Sequence, residues 1–343
     1  MRLFIPPALL AFALLALALP ARAQDGTVML DETFTVRAGG SLVVDLSSED
    51  VIVEAADGSE AQVTIYGRGR DVEEVFERKR YSAVQQGRRL IVRSDPERRS
   101  GWNWGNRQAS FTVVIRVPVE TSGSFDMSSG DLRVDELRGD RFIADMSSGD
   151  VTLGTIIADE IIVDTSSGDL EADRLEADRI VFDCSSGDYE VRTVIAQTLG
   201  FDASSGDLEI DDADIGEFIG DTSSGDMEIA GILGQASVDM SSGSADLGIV
   251  KGLLVADASS GDVRARLDLS SEVAVETTSG SITLVAPAGM NADVRFEGGR
   301  IRMAEAFAFS GEIKRDEARG RLGSGGNSLR ASTSNGSITL RAD

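Results

Sequence analysis

Nine times between Asp126 and Gly280 the chain returns to a close variant of Asp-x-Ser-Ser-Gly-Asp, always 18 or 19 residues after the last. The glycines stand at Gly130, Gly149, Gly168, Gly187, Gly206, Gly225, Gly243, Gly261 and Gly280, with no insertion among them. A unit this short cannot close a core of its own. It buries its apolar side only against copies of itself, so a fixed period near twenty residues predicts a solenoid.

Within each unit the glycine is followed by an apolar-polar-apolar triplet such as Leu132-Arg133-Val134 or Leu208-Glu209-Ile210. A second run precedes the motif, as in Phe142-Ile143-Ala144-Asp145-Met146 and Ile161-Ile162-Val163-Asp164-Thr165. Strict alternation buries one face of a strand and points the acid outward. Each turn of the coil is therefore expected to supply two short strands and one sharp corner at Ser-Ser-Gly. Stacked at the parallel-strand distance of about 4.8 Å, nine rungs make a rod of roughly 43 Å.

The flanks are less regular. Arg2, an apolar run from Leu9 to Leu19 and the small-residue site Pro20-Ala21-Arg22-Ala23 read as a secretory signal peptide over 1–23. No later stretch approaches the length of a transmembrane segment. From 24 to 120, strand patterns fall at Thr33–Val36, Ser41–Asp45, Asp50–Ala55, Ala61–Tyr66, Arg89–Arg93 and Phe111–Val117. Between the fourth and fifth of these lies Asp71–Gln86, whose apolar residues fit one short amphipathic helix with Asp71 as N-cap. Asp45-Leu46-Ser47-Ser48-Glu49-Asp50-Val51 is a degenerate first copy of the repeat with Glu49 in the glycine place. The regular solenoid occupies 121–285. From 286 to 343 the period lapses, yet Thr333-Ser334-Asn335-Gly336-Ser337-Ile338 repeats Thr277-Thr278-Ser279-Gly280-Ser281-Ile282 almost letter for letter, 56 residues on. That spacing is close to three periods and predicts irregular terminal rungs with a cap.

Charge is confined. The formal net charge is −25, and 121–285 alone carries 9 Lys/Arg against 35 Asp/Glu. Such a surface repels nucleic acid and anionic lipid and attracts cations or basic partners. The single cysteine, Cys184, occupies a repeat position held elsewhere by Met127, Met146, Ala203 and Thr222, which predicts a small buried hydrophobe.

The Gly39-Gly40 pair before a strand, the serine-glycine-aspartate rungs, and Gly323-Ser324-Gly325-Gly326 followed by Thr333–Ile338 together resemble the bacterial putative-adhesin β-strand-repeat family. The resemblance covers essentially the whole mature chain. It implies an all-β parallel β-solenoid, a right-handed single-stranded β-helix, in a family whose biochemical role is mostly unassigned.

Stacking would set Asp131, Asp150, Asp169, Asp188, Asp207 and Asp226 in one column, and Asp126, Asp145, Asp164, Asp183, Asp202, Asp221, Asp239 and Asp257 in another. Unit charges at rung spacing repel by about 0.9 kcal/mol per neighbouring pair in water. Local hydrogen bonds from each turn's own backbone N–H groups are the first expected compensation. Ca²⁺ held by the first column is the second. No other cofactor is implied. Catalysis has little support: the chain has no histidine, its carboxylates are equivalent, and no long loop in the repeat builds a cleft. The one chemically distinct stretch, Arg88–Arg107, gathers both tryptophans, Trp102 and Trp104, among Arg98, Arg99 and Arg107. Those five residues are the candidates for ligand contact, against packing back onto the first rungs as a cap. The expected function is a non-enzymatic, adhesin-like or scaffold protein of the bacterial envelope, periplasmic, outer-surface or extracellular, that contacts an envelope protein or polysaccharide. The alternatives are a carbohydrate-active β-helix and a calcium-stabilised β-roll.

Overall fold

A computed structural model describes residues 26–95 and 109–343. The amino-terminal part contains β1 (Thr27–Thr35), β2 (Gly40–Ser48), β3 (Asp50–Ala56), β4 (Glu60–Gly69), helix α1 (Val72–Lys79), β5 (Ser82–Gln86), β6 (Arg89–Arg93), β7 (Ala109–Pro118) and β8 (Thr121–Ser129). The repeat supplies β9 (Leu132–Ser148), β10 (Val151–Ser167), β11 (Leu170–Ser186), β12 (Tyr189–Ser205), β13 (Leu208–Ser224), β14 (Met227–Val250) and β15 (Leu253–Leu267). Then come β16 (Glu272–Ser279), β17 (Ile282–Ala286), β18 (Ala292–Glu297), β19 (Arg300–Met303), β20 (Phe309–Ile313), β21 (Glu317–Leu322), β22 (Asn327–Thr333) and β23 (Ser337–Ala342).

From β9 to β15 each strand pairs in parallel with the next, and identical motif positions face one another: Asp145 with Asp164, Asp164 with Asp183, Ser167 with Ser186. The chain is a parallel β-solenoid. Each coil has three paired segments rather than the two expected. In β10 these are Val151–Leu153, Thr155–Ala158 and Glu160–Thr165, with Gly154, Asp159 and Ser166 left out of the register. Burial explains why. Alternation runs Val151, Leu153, then restarts out of phase at Ile156 and again at Ile161, Val163 and Thr165. A period-2 pattern changes phase only where the chain bends, so three faces surround one core. The middle segment is faint in the sequence because it buries only one or two residues per rung before the chain bends: Leu137, Ile156, Leu175 with Ala177, Val194 with Ala196, and Ala213 with Ile215.

The core is a stack of inward columns with side chains sized against each other. Phe125 and Phe142 lie 5.6 Å apart, Phe182 and Tyr189 5.3 Å, Tyr189 and Phe201 6.2 Å. The Tyr189 hydroxyl, buried with its ring, hydrogen-bonds Thr165 Oγ1 at 3.1 Å and donates to the Asp183 carbonyl at 3.1 Å. Cys184 is a buried free thiol in the same inward column as Met146, Thr165 and Ala203. Burial, then Asp183, Asp188 and Asp202, pushes its pKa up to about 11.

Both ends are threaded in the same way. β2 lies between β6 and β8, and β3 between β7 and β9, so the first rung of the sequence is second in space. At the other end β22 lies between β16 and β18, and β23 between β17 and β19. The residues between Gly280 and Gly336 are therefore not successive terminal rungs. They run outward as β18–β19, turn back through the antiparallel pairs β18–β21 and β20–β21, and return so that β22–β23 insert directly on β16–β17. Antiparallel strands β1, β4, β5, β20 and β21 finish the two ends, covering edges that an open solenoid would expose.

The helix is shorter than expected. It ends at Lys79, with Arg80 left-handed at φ 50°, and Asp71 makes no side-chain cap hydrogen bond. Ser82–Gln86 is instead a strand antiparallel to Arg89–Arg93. Phe76, Tyr81 and Phe111 meet with ring centroids 5.1 to 6.1 Å apart, and this cluster fixes the chain where it leaves the helix. No helix among the described residues is long and apolar enough to cross a membrane.

Candidate interaction surface

The Ser-Ser-Gly-Asp corner is built by contact between rungs. The glycines stack so closely that a Cβ on any of Gly149, Gly168, Gly187 or Gly206 would fall inside 3.0 Å of the carbonyl oxygen of the glycine below. Gly336 stands in the same relation to Gly280, which is why the terminal copy of the motif is nearly letter-perfect. Beside the glycines the corner aspartates form a chain of hydrogen bonds. Asp150 N–H donates to Asp131 Oδ1 at 3.2 Å, Asp169 to Asp150 at 3.2 Å, Asp188 to Asp169 at 3.0 Å, Asp207 to Asp188 at 3.1 Å and Asp226 to Asp207 at 2.7 Å. Asp50 begins the series through Asp131 N–H, and Ser244 continues it onto Asp226. The compensation expected within each turn comes from the adjacent rung instead, because stacking aims each N–H at the carboxylate one level away. The second serine behaves alike: Ser148 and Ser167 hydroxyls donate to the carbonyls of Ser128 and Ser147. The calcium candidates Asp131, Asp150, Asp169, Asp188, Asp207 and Asp226 thus each have one oxygen engaged by the backbone. Among the described residues no three His, Cys, Asp or Glu side chains converge as a metal site.

Glu49 ends this corner stack. It is fully buried, and its carbonyl lies beneath Gly130 as each glycine's does beneath the next. Its carboxylate accepts from Ser47 N–H at 2.9 Å, Ser48 N–H at 2.8 Å, Tyr81 hydroxyl at 2.6 Å and the Lys79 ammonium. Lys79 also donates to Ser48 Oγ at 2.8 Å. Burial pushes the Glu49 carboxyl up, but the bonds from Lys79, Tyr81 and Ser48 together with the Lys79 charge outweigh it and hold the group below its ordinary 4.5. Burial and the same carboxylate drive the Tyr81 phenol strongly upward. The sequence shows Glu49 in the glycine place but not what it binds. The signal was available in Lys79 and Tyr81 at the end of the helix, though only the fold brings them 30 residues back.

The second acid column lies on the third face of the coil. Ten acids stand in register: Asp45, Asp126, Asp145, Asp164, Asp183, Asp202, Asp221, Asp239, Asp257 and Glu276. All are exposed. No ion pair reaches them among the described residues. Asp126 is held above its ordinary 3.8 by burial, then by Asp145 and Asp45; Asp164 likewise by burial, then by Asp183 and Asp145.

These opposite shifts set a pH dependence. A raised pKa means that Asp126 and Asp164 bind protons more tightly in the folded protein than in the unfolded chain, so their penalty at neutral pH is lifted as pH falls through the folded values. The depressed Glu49 works the other way: its contribution is complete above the unfolded value and is lost as pH falls through the folded one. The melting temperature is therefore expected not to fall between pH 7 and about pH 5, the relief of Asp126 and Asp164 coming as pH drops through their raised values toward 3.8 and the loss at Glu49 only below 4.5. Scanning calorimetry across that series checks it, and a steady decline from neutrality would contradict it.

The candidate contact residues Trp102, Trp104, Arg98, Arg99 and Arg107 lie outside the described residues, as does the 1–23 signal segment. An open cleft of about 440 Å³ is bordered by Gly39, Gly40, Arg88, Arg89, Ser122 and Asp140. Arg88 is occupied there by the carbonyls of Ala38 and Gly39.

The chain matches the family described as Toastrack, DUF4097, over residues 40–229 and again over 195–341. It belongs to the Toastrack family. Solved structures similar to this Toastrack chain include a putative adhesin from Parabacteroides distasonis, 16% identical, covering 76% of this chain and 98% of that one with a TM-score of 0.42. A putative adhesin from Parabacteroides merdae is 14% identical over 76% and 97% of the two chains, also at 0.42. A putative lipid binding protein from Parabacteroides distasonis is 16% identical over 76% and 98%, at 0.39. No curated protein matches the Toastrack chain.

Proposed function

We propose that this Toastrack protein is an exported, non-enzymatic, adhesin-like or scaffold component of the bacterial cell envelope, whose mechanism is display and contact. The supporting observation is the third face: an unbroken file of ten acids, reached by no ion pair among the described residues, on a rod whose two ends are finished by antiparallel strands. A rod closed at both ends works through its sides. Equivalent carboxylates at constant spacing offer an extended contact but no pair with separated acid and base roles. The adhesin naming of structural relatives belongs to those proteins and agrees in kind with this role. Immobilised mature protein is expected to retain an envelope protein or polysaccharide from a bacterial envelope extract while releasing no soluble product from bacterial or plant polysaccharides. Product release would replace this function with the carbohydrate-active one. A melting temperature that climbs with millimolar Ca²⁺ and drops back with chelator would favour the calcium-stabilised roll.

A further inference from the structure

The third face carries a second file beside the acids. Two residues before each acid, and so on the same outward side of the strand, stand Val43, Ile143, Ile162, Val181, Ile219 and Val255, with Ser124, Gly200 and Ser237 between them. Ile219 is 46% and Val255 38% exposed, and the others are half-buried. Strand propensity does not require them. The corresponding outward file of the first face is Arg133, Thr152, Glu171, Glu190, Glu209 and Glu228, with no apolar member. Among the described residues ion pairs reach neither this glutamate file nor the third-face acid column; they lie beside both, as where Arg141 and Arg179 meet Glu160 on the third face. Near the first face, Arg133 pairs with Asp135 and Arg192 with Asp173; on the second, Arg138 pairs with Glu136 and Arg174 with Glu176. What sets the third face apart from the first is that its acid file runs beside an apolar one.

Arginines close the strip at both ends. Arg93 stands in register beyond Asp45, and Arg330 beyond Ala274. The ten acids between make nine steps of about 4.8 Å, a length of roughly 43 Å. An extended strand laid along the axis repeats its side every ~6.8 Å and drifts out of step within two rungs. An α-helix repeats every ~5.4 Å, and about 28 residues span the strip.

Building on the contact role above, we propose that the third face is a docking surface for a basic amphipathic helix of another polypeptide, lying parallel to the rod. Its apolar stripe covers the Ile/Val file, and its lysines or arginines meet the aspartates. Charge complementarity selects the sign of the partner, and the apolar file selects an amphipathic partner over a bare polycation.

The test uses a synthetic Lys/Leu amphipathic helix of about 28 residues, binding being read by fluorescence anisotropy on the mature full chain. Removing the charges of Asp164, Asp183 and Asp202 as Asn is expected to weaken binding about tenfold or more, and so is Ile162→Ser/Val181→Ser/Ile219→Ser, which leaves the charge untouched. The matched variant Glu171→Gln/Glu190→Gln/Glu209→Gln on the first face is expected to change affinity less than about threefold. Equal losses in both charge variants would show attraction to net charge alone and overturn the proposal. Full affinity in the apolar variant would overturn it as well. Photo-crosslinks from the peptide's leucines to the wild-type protein give a readout that needs no variant to fold. They are expected within β9–β15 on the Ile/Val file, and crosslinks confined elsewhere would refute the site. Retention of envelope material by a wild-type protein that fails to bind this peptide would remove the docking surface and leave the contact function standing.

Discussion

Gly168→Ala is expected to destabilise the protein by about 3–5 kcal/mol, among the largest effects available to a single methyl group. Two causes act together. The backbone at Gly168 has φ 142°, a conformation that side chains oppose, and the added Cβ would press on the Gly149 carbonyl rather than on a side chain able to move. Relief requires raising one rung off another, which lengthens the hydrogen bonds of the whole corner. Gly200→Ala is the natural control. A Cβ there meets nothing within 4 Å and the residue points outward, so the effect is expected to stay within about 0.5 kcal/mol. Calorimetry compares the two variants. Because contacts in a solenoid reach only adjacent rungs, amide exchange should place the Gly168→Ala damage in β9 to β11. A variant melting with the wild type would mean that the glycines do not stack.

Glu49→Ala comes next, at about 3–5 kcal/mol, since removing one partner of a buried ion pair strands the other. Four donors lose their acceptor at once: Ser47 N–H, Ser48 N–H, the Tyr81 hydroxyl and Lys79. The loss should be smaller when the orphan is removed too. Relative to Lys79→Met alone, adding Glu49→Ala is expected to cost at least about 1 kcal/mol less than it does in the wild type. Additive losses in this double-mutant cycle would show that the two groups are not coupled. The variant also tests the amino-terminal assembly, because Lys79 and Tyr81 tie the helix and the β5–β6 hairpin to the first corner of the rod.

How much was legible varies by element. The Ser-Ser-Gly-Asp spacing gave the parallel stack, its register and both acid columns, because each rung meets its neighbours at identical positions. Alternation around Asp145 and Asp164 was enough to point the acids outward; the same alternation applied two residues earlier would have placed Ile143 and Ile162 beside them. The middle segment of the coil is harder to read because one or two buried residues per rung, such as Ile156 alone or Val194 with Ala196, are too sparse a signal for a strand. The helix is shorter than its apolar spacing suggests because Ala83 and Val84 suit helical spacing as well as strand alternation, and only pairing with Val92 and Ile91 decides between them.

The sequence by itself determined a solenoid, its pitch, its acidity and the stacking of its corners. All of these follow from interactions between residues one period apart, and a repeat states such interactions openly. Tertiary structure alone decided that β2–β3 and β22–β23 slip one level inside the end rungs, that Glu49 finds its cation in a helix 30 residues away, and that no ion pair among the described residues reaches the second acid column. Those features depend on contacts between segments of unequal spacing, where the free energy of burying an edge or a charge chooses the partner and no period announces it.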